Sequence, residues 1–547
     1  MPVINFSYRD LVTLMGREID KKDFLDRIPL IGCEIERVEG DEIGIEIFPD
    51  RPDMNSVEGI ARAARSFFGL EKGLKRYDVR DSDIVTYVDG SVKDVRPVIV
   101  TALIKNVEMS DELIASLMDL QEKLHQGIGR NRKKIAIGVH DFDKVKPPFT
   151  YKAVDPKSVK FVPLNSYEEM DLVEILEKHP KGIEYGHLLK GKKLYPILVD
   201  SQENVLSFPP IINGTLTEVT PFTKNIFIDV TGIDRETASL ALNIISTALA
   251  ERGGEIYRTK VIDDGEKSYP DLEPREMKVK KSYAESIIGI RFKPEEIRES
   301  LLRMGYDVKI DGDEILLKVP AWRGDILHEI DIVEDIAIGY GFDRIEPENP
   351  KYLTYGKPLE KARLIRKLRT IMIGLGFYEV ETLTLSNEKD EFDKLGFDKL
   401  GMKRGKIVKI ENPISEEYTC LRKSLLPSLL KICRANRHRS LPQRIFEIGY
   451  VVNEKAKNEL HLSFLEIDEK TNFSRCKSLF EAISRDAGIE MKIKRSEHPA
   501  FIEGRCAGIL YKEKEIGFFG EIHPRTLVEF ELEHPGIALE INLEYLE

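Results

Sequence analysis

The chain has 547 residues, 41% of them hydrophobic and 33% charged. At roughly 150 residues per domain, such a length predicts several domains, and the hydrophobic share excludes a mostly disordered chain. Against 83 basic residues stand 95 acidic ones, so the net charge is −12, which argues against a dedicated nucleic-acid binder. Charge of both signs well above the usual ~25% is what surface ion-pair networks of heat-adapted proteins use.

The cysteines are Cys33, Cys420, Cys433, Cys476 and Cys506. Their number is odd and none forms a C-x-x-C pair, so a disulfide framework or zinc knuckle is not expected. The expectation is a reducing, cytoplasmic compartment. The start, MPVINFSYRD, carries no apolar signal region. No apolar run is long enough for a membrane helix.

Four regions follow in order. Residues 1–75 end in a loop and helix, IFPDRPDMNSVEGIARAARSFFG. Pro49 and Pro52 block regular structure there, and Asn55 with Glu58 reads as a capping box. Residues 80–265 mix strands and helices. TKNIFIDVTG is a strand with Ile226, Ile228 and Val230 on one face and Phe227, Asp229 and Thr231 on the other. A proline-set loop, SFPPIING, precedes it. RETASLALNIISTALAERGG follows as an apolar helix ending at a glycine pair. Residues 270–348 read as a helix, PEEIRESLLRMGY, then a hairpin through Asp311-Gly312, then a second helix, DILHEIDIVEDIAIGYG, which together predict a winged-helix-like module. Residues 350–547 begin with an amphipathic helix, EKARLIRKLRTIMIGLG, whose stripe is Leu364, Ile365, Leu368, Met372 and Leu375. The strands FYEVETLTL, QRIFEIGYVV, EGRCAGILYK, EIGFFGEI and IALEINLEYL predict a largely antiparallel sheet. The fold class is therefore α+β and multidomain.

Three constellations carry possible chemistry. Asp331, Glu334 and Asp335 fall at i, i+3 and i+4, with Asp325 just upstream. Oxygen-only ligands suit a hard cation such as Mg²⁺. Acids near a helix N-terminus also favour the macrodipole as a solvated face. Asp229 and Thr231 share a strand face near Ser207 and Gly214 in sequence; such groups line polar pockets, and they equally describe a strand with a wet face. The basic clusters are Arg130, Arg132, Lys133 and Lys134; Lys361, Arg363, Arg366, Lys367 and Arg369; and Lys431, Arg434, Arg437, Arg439 and Arg444. They suit phosphates or a solvated, ion-paired surface. A Walker loop, an H-E-x-x-H and a G-x-S-x-G are all missing from the sequence.

Seven segments, in this order, resemble the phenylalanine–tRNA ligase beta-subunit family in its shorter archaeal and eukaryotic-like form. They are NFSYRDLVTLMG at 5–16, PDRPDMNSVEGIARA at 49–63, PPIINGTLTEVTPFTKNIFIDVTG at 209–232, VPAWRGDILHEIDIVEDIAIGYGFDRI at 319–345, ENPISEEYTCLRKSLLPSLL at 411–430, QRIFEIG at 443–449 and HPAFIEGRCAGILY at 498–511. The resemblance implies an N-terminal α/β region (1–75), a mixed α/β tRNA-editing domain (80–265), a winged-helix-like domain with the acidic helix (270–348) and a degenerate class II synthetase core (350–547). It implies an (αβ)₂ heterotetramer with an alpha subunit that charges tRNA(Phe) using ATP and Mg²⁺. The arginines of the class II signatures are absent here, so the synthetic site is expected on alpha. The resemblance also implies an editing pocket at Asp229, Thr231, Ser207 and Leu198. Gly214 is expected to join it, with backbone amides around it holding the substrate carbonyl while a positioned water attacks. It places the family's magnesium on Asp325, Asp331, Glu334 and Asp335, shared with alpha. The rival readings are a stand-alone aminoacyl-tRNA deacylase and a non-catalytic nucleic-acid-binding module. Acid in RGDILHEIDIVED counts against the second.

Overall fold

The computed structural model describes residues 2–349, 354–398, 401–402 and 404–546; the expected ends of the last region, 350 and 547, lie outside them. The chain divides into two compact units, 1–349 and 350–547.

In the first unit, residues 1–75 and 270–348 do not keep separate cores. Ile4, Ile45, Ile60 and Ala64 pack in one apolar cluster with Val279, Leu301, Ile315 and Ile336. The N-terminal part is a three-stranded antiparallel sheet backed by helices, including Val57–Phe67. That helix is capped one residue later than the sequence predicts: Ser56, not Asn55, accepts the Gly59 N–H. The expected hairpin forms as Asp307–Asp311 and Glu314–Val319, and a third strand, Arg275–Lys280, joins it. The second helix of this part starts at Glu329, so Asp325 lies in the loop before it.

Between them, residues 79–269 build a ten-stranded mixed sheet. The Ile226–Gly232 strand lies between Val98–Lys105 and Ile135–Asp141, antiparallel to both. Two neighbours and covered faces leave all seven of its residues buried. The alternation expected for it is therefore apolar core against a buried polar face, not core against solvent. The Arg235–Glu251 helix shares the core of this sheet through Ala241, Ile244 and Ile245. At the two ends of the strand order stand Ile212–Asn213 and Ile135–Asp141. The sheet curls until these ends meet, and Asn213 Nδ2 donates to Val139 O across the gap at 3.4 Å.

The second unit is a seven-stranded sheet, antiparallel except where Tyr378–Glu379 runs parallel to Gln443–Val452. Period-two alternation divides its side chains between two cores. Phe446, Phe464 and Leu539 pack with Leu368, Met372, Leu479 and Phe480. Ile445, Leu465 and Ala538 pack with Leu426, Leu429, Leu430 and Cys433. The helix stripe at Leu368 and Met372 thus faces the unit's own core. FYEVETLTL does not form one strand: only Tyr378–Glu379 and Leu385–Ser386 pair, in different sheets.

Candidate active site

Where the two ends of the ten-stranded sheet meet there is a cavity of about 340 Å³. One wall is the edge strand, Ala136 to Val139; another is the loop Ser207 to Gly214. The floor includes Asp229 and Thr231, which the strand alternation turns to this side. Asp229 is sealed among protein atoms, and its Oδ1 lies 2.7 Å from His140 Nε2. Thr231 Oγ1 accepts from Arg96 Nε at 3.1 Å, and Arg96 Nη2 donates to Thr231 O at 2.8 Å. Burial pulls the Arg96 guanidinium down to about 10.

Ser207 Oγ is buried without a hydrogen-bond partner beside the same cavity. Orphaned buried hydroxyls are costly, so they mark places where a ligand or water completes the bonding.

Gly214 lines the cavity, but its amide does not face a substrate. Its N–H goes to Leu206 O at 2.8 Å, and the Thr215 N–H goes to Val162 O at 2.9 Å. This corrects the expectation that amides around Gly214 hold a carbonyl. The glycine serves close packing instead, since a Cβ there would lie 2.8 Å from Val205 O. Leu198 is also placed otherwise than the pocket expectation: it pairs with Ser207 across the ladder and is buried in the apolar core, outside the cavity lining.

Arg132 was legible only as one of a basic cluster. It belongs to the wall. Its Nη1 donates to Ile211 O at 2.9 Å and Pro210 O at 3.3 Å, tying down the proline loop, while Nη2 pairs with Glu122. Burial works to raise the Glu122 carboxyl, but His125 and Arg132 hold it at about 2. Burial takes the His125 imidazole down to about 4, and its neutral Nε2 accepts the Ile137 N–H at 2.8 Å. Three successive non-glycine residues, Arg130, Asn131 and Arg132, hold φ of 49°, 53° and 63°. Left-handed backbone costs roughly 1–2 kcal/mol per residue, and here the Arg132 anchors fix it beside the cavity.

The four carboxylates expected to hold magnesium are arranged differently. Arg323, buried, binds Asp325 through Nε at 2.9 Å and Asp335 through Nη2 at 2.7 Å. Tyr306 OH also donates to Asp335. Asp331 accepts the Leu327 and His328 N–H groups, both at 2.7 Å, as the reciprocal half of a helix cap. Glu334 is left, its carboxyl raised by burial and by Asp335, Asp50, Asp331 and Asp325. Among the described residues no three His, Cys, Asp or Glu converge on one point as an ion would need. As placed in this chain alone the described residues do not converge on a Mg²⁺ site, and Arg323 pairs with two of the four carboxylates instead.

The other two basic clusters are matched in part by acids elsewhere in the chain. Lys361 meets Glu544 and Arg369 meets Glu379. Arg434 meets Glu531, Arg444 meets Glu466, and Lys431 meets Asp390. The cysteines lie buried and outside the cavity; burial pushes Cys33, Cys420, Cys433 and Cys506 up to about 12. Among the described residues no helix is long and apolar enough to cross a membrane.

Family models match three stretches: the B3/4 domain at residues 91–261, the tRNA synthetase B5 domain at 277–342, and the phenylalanyl tRNA synthetase beta chain CLM domain at 345–543. The phenylalanine–tRNA ligase beta subunit of Methanococcoides burtonii is 45% identical over 99% of this chain and 100% of its own length. The chain belongs to the phenylalanine–tRNA ligase beta subunit family. The beta subunit of Archaeoglobus fulgidus is also 45% identical, over 99% of this chain and 98% of its own. Among solved structures, an N-terminal fragment of the phenylalanyl-tRNA synthetase beta subunit from Pyrococcus horikoshii superposes with a TM-score of 0.60 at 44% identity, covering 62% of this chain and 99% of the fragment. The cavity lies within the stretch that matches the B3/4 domain.

Proposed function

We propose that this chain is the beta partner in a cytoplasmic (αβ)₂ phenylalanine–tRNA ligase, and that the 340 Å³ cavity hydrolyses tyrosine wrongly attached to tRNA(Phe). Family membership supports the first part. ATP and Mg²⁺ then serve synthesis on the alpha subunit, and no step below runs through a metal held by the acidic helix.

The observation that carries the editing reading is a buried carboxylate, Asp229, beside the unpartnered hydroxyl of Ser207 in one cavity. A site shaped for phenylalanine rejects tyrosine poorly, because tyrosine only adds a hydroxyl. A second site with a buried acceptor reverses the preference. The phenolic O–H satisfies Asp229, whereas phenylalanine leaves it dry. A hydrogen bond to a charged group is worth ~1.5–3 kcal/mol, or roughly one to two decades of discrimination. No cysteine lines the cavity. Attack is therefore assigned to water, with Arg132 and its anchored loop shaping the wall.

The test is Asp229→Ala in the assembled enzyme. Phenylalanine charging should persist while Tyr-tRNA(Phe) accumulates. Deacylation of Tyr-tRNA(Phe) by the variant at the wild-type rate would reduce Asp229 to a buried structural acid.

A further inference from the structure

Asp229 is held from the side by a histidine that the strand register brings to it. Asp229 sits opposite Gly138 in the antiparallel ladder. His140 lies two residues further along the same strand, so its side chain emerges on the same face. Its Nε2 is 2.7 Å from Asp229 Oδ1, and its Nδ1 is 2.8 Å from Thr217 Oγ1. The two side chains are 0% and 2% exposed, so no solvent competes for the contact. Gly138 makes the meeting possible: a Cβ there would lie 2.3 Å from Asp229 Oδ1 and 2.7 Å from His140 Nε2. A glycine inside an otherwise apolar strand is the usual sign of such a close approach.

We infer that His140 is the positioning residue for substrate choice in this cavity: it donates Nε2–H to Asp229 Oδ1 and leaves the other carboxylate oxygen as the acceptor for a phenolic hydroxyl. This rests on the editing reading above. A carboxylate offers acceptors only, so the 2.7 Å contact places the donating N–H on Nε2. Thr217 Oγ1, between Nδ1 at 2.8 Å and Gly214 O at 3.3 Å, holds the other side of the ring. The carboxylate is then an acceptor only. It rewards a ligand that brings a hydroxyl donor and penalises one that does not. Without the histidine donor, the bond that holds Oδ1 is lost and the carboxylate is free to turn. The preference for tyrosine falls with it.

The experiment measures kcat/KM for hydrolysis of Tyr-tRNA(Phe) and of Phe-tRNA(Phe) by the assembled enzyme. His140→Leu fills the space without a donor and should lower the Tyr/Phe ratio about tenfold, the size of one charge-assisted hydrogen bond. His140→Gln returns an amide N–H near the Nε2 position and should restore most of the ratio. Gly138→Ala drives a methyl group into the contact and should lower the ratio as His140→Leu does. A structural role alone would reduce both hydrolyses together and leave the ratio unmoved. That result, or a wild-type ratio in His140→Leu, overturns the inference. If His140→Leu loses cooperative thermal unfolding, the Gln and Gly138 variants decide. Failure of the parent reading looks different: Asp229→Ala itself would keep the wild-type rate and ratio.

Discussion

Arg323 Nη2 lies 2.7 Å from Asp335 Oδ2, with the two side chains 3% and 6% exposed. That pair explains how an acidic helix tolerates its own repulsion: a guanidinium from the preceding loop sits among the carboxylates. Breaking a buried ion pair by removing one partner leaves an uncompensated charge, at a cost of roughly 3–5 kcal/mol. Asp335→Asn is expected to destabilise the first unit by about 3 kcal/mol, equally with magnesium and with a chelator. Urea unfolding under both conditions checks this. A loss of stability that appears only when magnesium is present would mean that the ion, not Arg323, is the partner.

Ser207 leads to a second prediction. Its hydroxyl is buried and unbonded, so the folded chain gains nothing from it. Ser207→Ala should leave the midpoint of unfolding unchanged or slightly raised, because an unmade hydrogen bond is removed rather than created. Hydrolysis of Tyr-tRNA(Phe) should fall several-fold. A marked drop in stability with intact hydrolysis would assign the hydroxyl to the fold.

Legibility in the sequence followed the range of the interaction. Gln443–Val452 forms over the residues its alternation predicts, because a strand's own pattern records which face is covered. Asp229 stood out for the same reason, as a charge inside an apolar run. His140 did not, although it sits in a strand as apolar as IAIGVHD. Its partner is 89 residues away, and only the ladder register brings them together. Gly138 was the available signal. Arg132 was hidden because it reads as one of four basic residues in a surface cluster, while its role depends on the curl of the sheet that brings Ile211 to it. The i, i+3, i+4 spacing of Asp331, Glu334 and Asp335 places acids on one face but is silent about Arg323, eight to twelve residues upstream. FYEVETLTL has strand-forming composition throughout, yet pairing ends after Glu379, so propensity without a neighbour did not hold it extended in one sheet.

Glu391 gives the second unit a pH dependence. Its carboxyl is buried against Ser386 Oγ and the Lys423 N–H, and burial raises it to about 7, with Glu540 adding to the rise. The folded state therefore binds this proton more tightly than the unfolded chain, whose value is near the ordinary 4.5. The contribution to stability is complete below that ordinary value and is lost as pH rises through about 7. Glu391→Gln keeps a neutral, similarly shaped side chain. It should flatten the slope between those limits and make the variant the more stable protein on the alkaline side. Denaturant unfolding at both ends of the window measures it. A variant with the wild-type slope would show that another group titrates there.

The last prediction concerns the face by which the second unit meets a partner. The Glu360–Gly374 helix, with its apolar stripe, is one candidate for that face. That stripe is spoken for: Leu368 and Met372 are 2% and 0% exposed in the unit's own core. What remains uncovered lies beyond it, with Ile373 57%, Tyr378 78% and Leu383 59% exposed. Three large apolar side chains within eleven residues of sequence exceed what scattered surface residues need, and clustered exposure of this kind marks an interaction surface. The two-residue Tyr378–Glu379 strand also sits at an edge of the seven-stranded sheet, with backbone groups on its outer side open to pairing. Ile373→Asp with Tyr378→Asp should leave the fold of the chain intact, since neither side chain is buried. In cells making both subunits the same pair should lower the assembled mass seen by light scattering, from that of the proposed (αβ)₂ complex to that of a smaller species. Leu368→Asp serves as the contrast, because it should unfold the unit and yield no soluble complex. Should the double variant assemble to full mass, these residues face solvent in the enzyme and the interface lies on another side of the unit.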